Sequence, residues 1–76
     1  MTHPRSPEQR IEEMSEEIWS LAERGERSRT QLIKGSKLGE ESAREVLQAM
    51  LGKELIQDLE GEVSLLPAGE ALARLV

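Results

Sequence analysis

Few side chains in this 76-residue chain have types and spacings that could do chemistry. There is no cysteine, which excludes a disulfide framework, a thiolate zinc site, an iron–sulfur cluster and a cysteine nucleophile. The grouping with the most metal-ligand character is His3 with Met14, Glu12, Glu13, Glu16 and Glu17. One histidine in an N-terminal tail is not a ligand set. Glu12/Glu16 and Glu13/Glu17 are i,i+4 pairs expected on an exposed helical face, where like charges repel mildly without needing an ion. Met14 falls on an apolar stripe and is expected in the core. No metal and no cofactor is therefore expected. No nucleophile–base pair, glycine-rich phosphate loop or carboxylate pair in a cleft can be assembled, and so small a domain rarely holds a deep pocket. A non-enzyme with no catalytic residues is the expectation.

The remaining chemistry is electrostatic. Residues 1–37 hold seven basic and seven acidic residues and residues 38–76 hold three and eight, so the whole net charge of −5 lies in the second half. Arg24, Arg27, Arg29, Lys34 and Lys37 form a basic strip opposed locally by Glu26 alone. Such a strip can meet a phosphate backbone or an acidic partner, or pair with the acidic half of another copy. An acidic domain usually avoids nucleic acid. Trp19 is the single aromatic residue, which counts against stacking on single-stranded bases.

The elements that must position these residues are legible from caps and periodicity. Ser6-Pro7-Glu8-Gln9 is a capping box with Pro at the first helical position. Ile11, Met14, Ile18, Leu21 and Ala22 follow as one apolar stripe, and Gly25 suits a left-handed C-terminal cap, so a helix is predicted over 7–24. Ser28-Arg29-Thr30-Gln31 repeats the cap before a short helix with Leu32-Ile33 buried and Gly35 at its end. Leu38 anchors the turn that follows. A third helix over 40–52 carries Ala43, Val46, Leu47 and Met50 on one face, with Gly52 as its stop. Leu55–Asp58 and Glu62–Leu65 can pair as a hairpin, and Pro67 opens a last helix with Ala68, Ala71, Leu72 and Leu75 as its apolar face. The expected fold is mainly α with a small two-stranded β-hairpin: a winged helix-turn-helix of three-helix core, wing and C-terminal helix. Residues 1–5 are a tail and 6–76 one domain. No apolar run approaches the ~18 residues of a membrane span and the N-terminus lacks a signal peptide's apolar segment, so no membrane and a cytoplasmic location are expected.

Glu13-Met14-Ser15-Glu16-Glu17-Ile18-Trp19-Ser20-Leu21 resembles the first helix of the iron-dependent (diphtheria toxin) repressor family, where E-M-Y-L-x-x-I-Y-x-L is usual. Leu32 to Ile56 is similar to that family's helix-turn-helix, and Leu65-Leu66-Pro67-Ala68-Gly69-Glu70-Ala71-Leu72-Ala73 to its L-T-P-x-G-x-x-L-A segment after the wing. The resemblance covers residues 8–76 and implies the family's N-terminal DNA-binding domain, without its dimerising, metal-binding domain. It aligns Met14 with a metal ligand of part of the family, whose fellow ligands come from that second domain. It also has departures. The recognition-helix positions read Gly39, Glu40, Glu41, Ser42, Arg44 and Glu45, of which only Ser42 and Arg44 keep a suitable donor. The wing tip is acidic, and Leu66 replaces the capping Thr.

Two functions follow. One is a small DNA-binding transcriptional regulator: Ser42, Arg44 and Gln48 would face a major groove, and Arg27, Arg29, Lys34 and Lys37 would cross the backbone. With four or five of the six cations Arg24, Arg27, Arg29, Lys34, Lys37 and Arg44 on phosphate at once, the slope of log K against log salt would be about −4. The other is a degenerate acidic winged helix that binds a protein through Trp19, Leu51 and Leu59. The expected partner is DNA or a protein, and a homodimer is left open.

Overall fold

A computed structural model of the chain describes residues 6–74. The proposed tail, with His3, and the last core position, Leu75, lie outside the described residues. The elements run α1 (Pro7–Glu23), α2 (Arg29–Gly35), α3 (Glu40–Gly52), β1 (Ile56–Leu59), β2 (Glu62–Leu65) and α4 (Pro67–Arg74). They make a mainly helical fold with a two-stranded antiparallel hairpin between the third and fourth helices. Among the described residues no helix is long and apolar enough to cross a membrane.

The local chemistry explains most boundaries. Ser6 Oγ accepts the Gln9 N–H at 3.2 Å while Gln9 Oε1 accepts the Ser6 N–H at 3.1 Å, which satisfies two donors that the first turn of α1 leaves free. At the other end the Glu26 N–H donates to Leu21 O and the Gly25 N–H to Ala22 O. This is a Schellman closure around Gly25 at φ 80°, and it ends α1 at Glu23, one residue before the expected boundary. The cap of α2 is not the reciprocal box expected, because Gln31 does not return a bond to Ser28. Ser28 Oγ accepts the Gln31 N–H at 3.4 Å, but the Ser28 N–H donates to Glu26 Oε1 at 3.0 Å.

The same Schellman closure ends α3, displaced from the glycine expected to provide it. The Leu55 N–H donates to Met50 O and the Glu54 N–H to Leu51 O, so the left-handed residue is Glu54, at φ 57°, and Gly52 is still helical. A side chain in that conformation costs roughly 1 kcal/mol, and a carboxylate there also faces the negative end of the helix dipole. Glu54→Gly is therefore expected to raise the stability by about 1 kcal/mol, read as a higher midpoint in urea unfolding.

In the hairpin Ile56 pairs with Leu65, Gln57 with Ser64, Asp58 with Val63 and Leu59 with Glu62. The first strand is thus one residue later than expected, and Leu59 belongs to it rather than to the turn. The loop is the two residues Glu60 and Gly61, at φ 52° and 84°, the signs a type I′ turn requires. The segment before α2 adds to the hairpin edge. Ser28 bridges Glu62, with the Val63 N–H donating to Arg27 O and the Arg29 N–H to Gly61 O, both at 2.8 Å.

The core is built by Ile11, Met14 and Ile18 of α1, Leu32 and Ile33 of α2, Ala43, Val46, Leu47 and Met50 of α3, and Leu55, Ile56 and Val63. Ser15 is also fully buried. Its hydroxyl donates to Ile11 O at 2.8 Å, so a polar residue sits inside the apolar stripe without an unmet hydrogen bond. Leu65 is only partly buried against it. The inner face of α4 also differs from expectation. Ala68 and Ala71 are exposed, and Gly69, with Leu72 and Ala73 beside it, is the buried residue. The helix is turned so that Gly69 meets the Leu55 carbonyl.

Candidate nucleic-acid interface

The side chains that the sequence reading assigned to DNA radiate from α3 and from the α1–α2 region. Successive residues of a helix turn by about 100°. Ala43, Val46, Leu47 and Met50 point into the core, which leaves Glu41, Glu45 and Gln48 on the outermost line of α3, all exposed. Arg44 and Ser42 flank this line on opposite sides, roughly 160° apart. Arg44 is exposed and Ser42 half-buried. The two donors of this helix therefore do not act on one spot, and the most prominent positions carry two carboxylates and one amide.

Arg44 leans toward α2. With Glu40 it lines a cleft of about 210 Å³, closed on the other side by Arg29, Thr30, Ile33 and Lys34. Three cations meet there. One carboxylate, Glu40, stands among them, one turn before Arg44 in the order that favours an i,i+4 pair. A second touches the rim: Asp58 Oδ2 lies 3.7 Å from Arg29 Nε. That distance is an ion contact rather than a hydrogen bond, and with Arg29 39% exposed its contribution is small.

The rest of the basic strip is divided. Arg24 and Lys37 line a separate cavity of about 370 Å³ between α1 and α2, beside Glu13, Glu16 and Glu17. Arg27 borders a third, of about 310 Å³, with Trp19, Glu23, Ser64 and Glu70. The six cations of the sequence reading therefore share no single face, and the cleft gathers Arg29, Lys34 and Arg44. Thr30 and Asp58 join the site although the sequence reading gave them no part in it, and Glu40, read as a departure at the recognition helix, joins it as a carboxylate among the cations. Helical spacing relates Thr30 to Lys34 and Glu40 to Arg44, but the approach of Asp58 to Arg29 is a long-range contact with no local signal.

The α1 carboxylates are also not the freely exposed row that was expected. Glu12, Glu13 and Glu17 are half-buried, and Glu17 Oε2 accepts the Lys37 N–H at 3.1 Å, tying α1 to the turn before α3. Met14 is fully buried in the core. Among the described residues no three His, Cys, Asp or Glu side chains are grouped to hold a metal ion. Of the three apolar candidates for a partner surface, Trp19 is half-buried against α4, with Arg74 Cζ 5.9 Å from its ring centroid. Leu51 packs against the core and Leu59 stands 62% exposed on β1.

Compared with protein-family models, with curated proteins and with solved structures, the chain gives no match.

Proposed function

We propose that this chain is a winged helix-turn-helix domain that binds duplex DNA, held by the phosphate backbone at Arg29, Lys34 and Arg44. The observation that carries the reading is the meeting of these three cations between α2 and α3, the pair of helices that a helix-turn-helix presents to DNA. The edge contact of Ser28 with Glu62 supports the winged architecture, because it joins the segment between the first two helices to the hairpin. The resemblance to the iron-dependent repressors points the same way. Backbone contacts position a protein and do not specify sequence. With Arg44 on phosphate, base reading falls to Gln48 alone, and Ser42 is turned away from it, so sequence preference is weak.

Three phosphate contacts give a slope of log K against log salt of about −2.7, shallower than six clustered cations would give. Binding then weakens roughly 40-fold between about 50 and 200 mM salt. Titration of a labelled duplex followed by fluorescence anisotropy tests this. Arg44→Ala is expected to weaken binding and to reduce the slope by about 0.9. Replacing Glu41 and Glu45 with Gln is expected to tighten binding, by removing two charges that repel phosphate. If neither the wild type nor that variant binds at about 50 mM salt, where electrostatic binding is strong, the reading fails. The exposed Leu59 then favours the second reading, a protein-interaction module.

A further inference from the structure

We propose that two copies of this chain pair reciprocally, each seating its hairpin tip in the α2–α3 cleft of the other. Leu59 is the one large hydrophobic side chain among the described residues that stands well exposed. It lies directly opposite Glu62 in the hairpin register and next to Glu60, both exposed, so the tip presents an apolar knob between two carboxylates. The cleft is its complement: about 210 Å³, with Ile33 in its wall and the three cations Arg29, Lys34 and Arg44 around it outnumbering the single carboxylate Glu40.

The chain cannot satisfy this match within itself. Side chains alternate along a strand, so Asp58 turns to Arg29 on the inner face of β1 while Leu59 turns to the outer face. Because Asp58 touches Arg29, the acidic tip and the basic cleft adjoin on one molecule. Adjacent patches of opposite charge are what a two-fold interface needs, since each contact is then made twice. Glu41 and Glu45 repel an incoming acidic tip from the outer line of α3 and direct it to the α2 side of Arg44. Pairing uses the cations assigned above to DNA, so the two states compete. The pairing does not depend on the DNA reading and is tested without DNA.

Sedimentation equilibrium of the full chain at about 20 and 500 mM salt decides it, as the Debye length falls from roughly 20 to 4 Å. A monomer–dimer equilibrium at low salt that shifts to monomer at high salt is expected. Leu59→Lys and Lys34→Glu are each expected to weaken it by more than about tenfold, with thermal unfolding showing that both variants fold. Combining Lys34→Glu and Arg44→Glu with Glu60→Lys and Glu62→Lys restores pairing, because the charges are exchanged across the interface. A monomer at every concentration in low salt, a dimer that Leu59→Lys and Lys34→Glu leave intact, or species that grow beyond two would overturn the proposal.

Discussion

Gly69→Ala is expected to lower the stability of the fold by about 2–3 kcal/mol, in the range of overpacking a tight contact. Gly69 is buried in the first turn of α4. A Cβ built on it would overlap the carbonyl oxygen of Leu55 and come within 2.9 Å of Leu65 Cδ2. The same carbonyl accepts the Leu66 N–H at 2.9 Å, so the helix cannot back away without breaking the bond that starts it. Retreat would also lift Leu72 from the core and loosen the Arg74–Trp19 contact. Helix propensity alone favours Ala over Gly by about 1 kcal/mol, so the sign of the effect is diagnostic. In a domain this small the expected loss lowers the melting temperature by roughly 10–20 °C; a rise would show that α4 does not dock on Leu55.

Met14→Ala is expected to cost about 3 kcal/mol, within the range for truncating a buried methionine. Its side chain has no exposure, and a cavity opened in the middle of α1 cannot be filled by solvent. A domain of this length holds only about 3–5 kcal/mol in all, so most of the chain is expected to unfold near 37 °C. Met14→Leu conserves volume and is expected to cost less than about 1.5 kcal/mol. The pair separates packing from ligation. A metal ligand would make Leu as damaging as Ala whenever metal is present. A metal at a hundredfold excess over its Kd would also stabilise the wild type by about 2.7 kcal/mol. Adding Fe²⁺ or Mn²⁺ is expected to leave the melting temperatures of the wild type and Met14→Leu unchanged in thermal unfolding followed by circular dichroism.

These two positions differ in how far the sequence revealed them. Met14 sits in an i,i+3,i+4 stripe, and the stripe together with the Ser6–Gln9 cap defines α1 almost to the residue. Pro67 and the caps before α2 act within a few residues and are equally legible. Gly69 is different, because the reason for a glycine there is the backbone of Leu55, fourteen positions earlier in the chain. Glu54 shows the same limit. Gly52 is the better residue for a left-handed cap, but packing of Met50 and Leu55 in the core fixes where α3 must end, and that point falls on a glutamate.

For the candidate site, the residue types were legible and their grouping was not. Arg29, Lys34 and Lys37 look like one strip in sequence. Lys37 lies past the end of α2, and the turn that carries it is held by Glu17 of α1, so its side chain lines the α1 cavity rather than the α3 cleft. Ser42 and Arg44 look like neighbours, but two residues of helix turn them to opposite sides. The edge contact between Ser28 and Glu62 has no periodicity to announce it, because it joins a residue of a cap to the rim of a turn.

The most direct test is a heteronuclear NMR titration of the ¹⁵N-labelled chain with a short duplex at about 50 mM salt, where backbone contacts are strong. Amide shift changes centred on Arg29–Lys34 and Glu40–Gln48 are expected, with Arg24, Lys37 and Trp19 little affected. An unchanged spectrum, or changes centred on Leu59 and Trp19 instead, would contradict it.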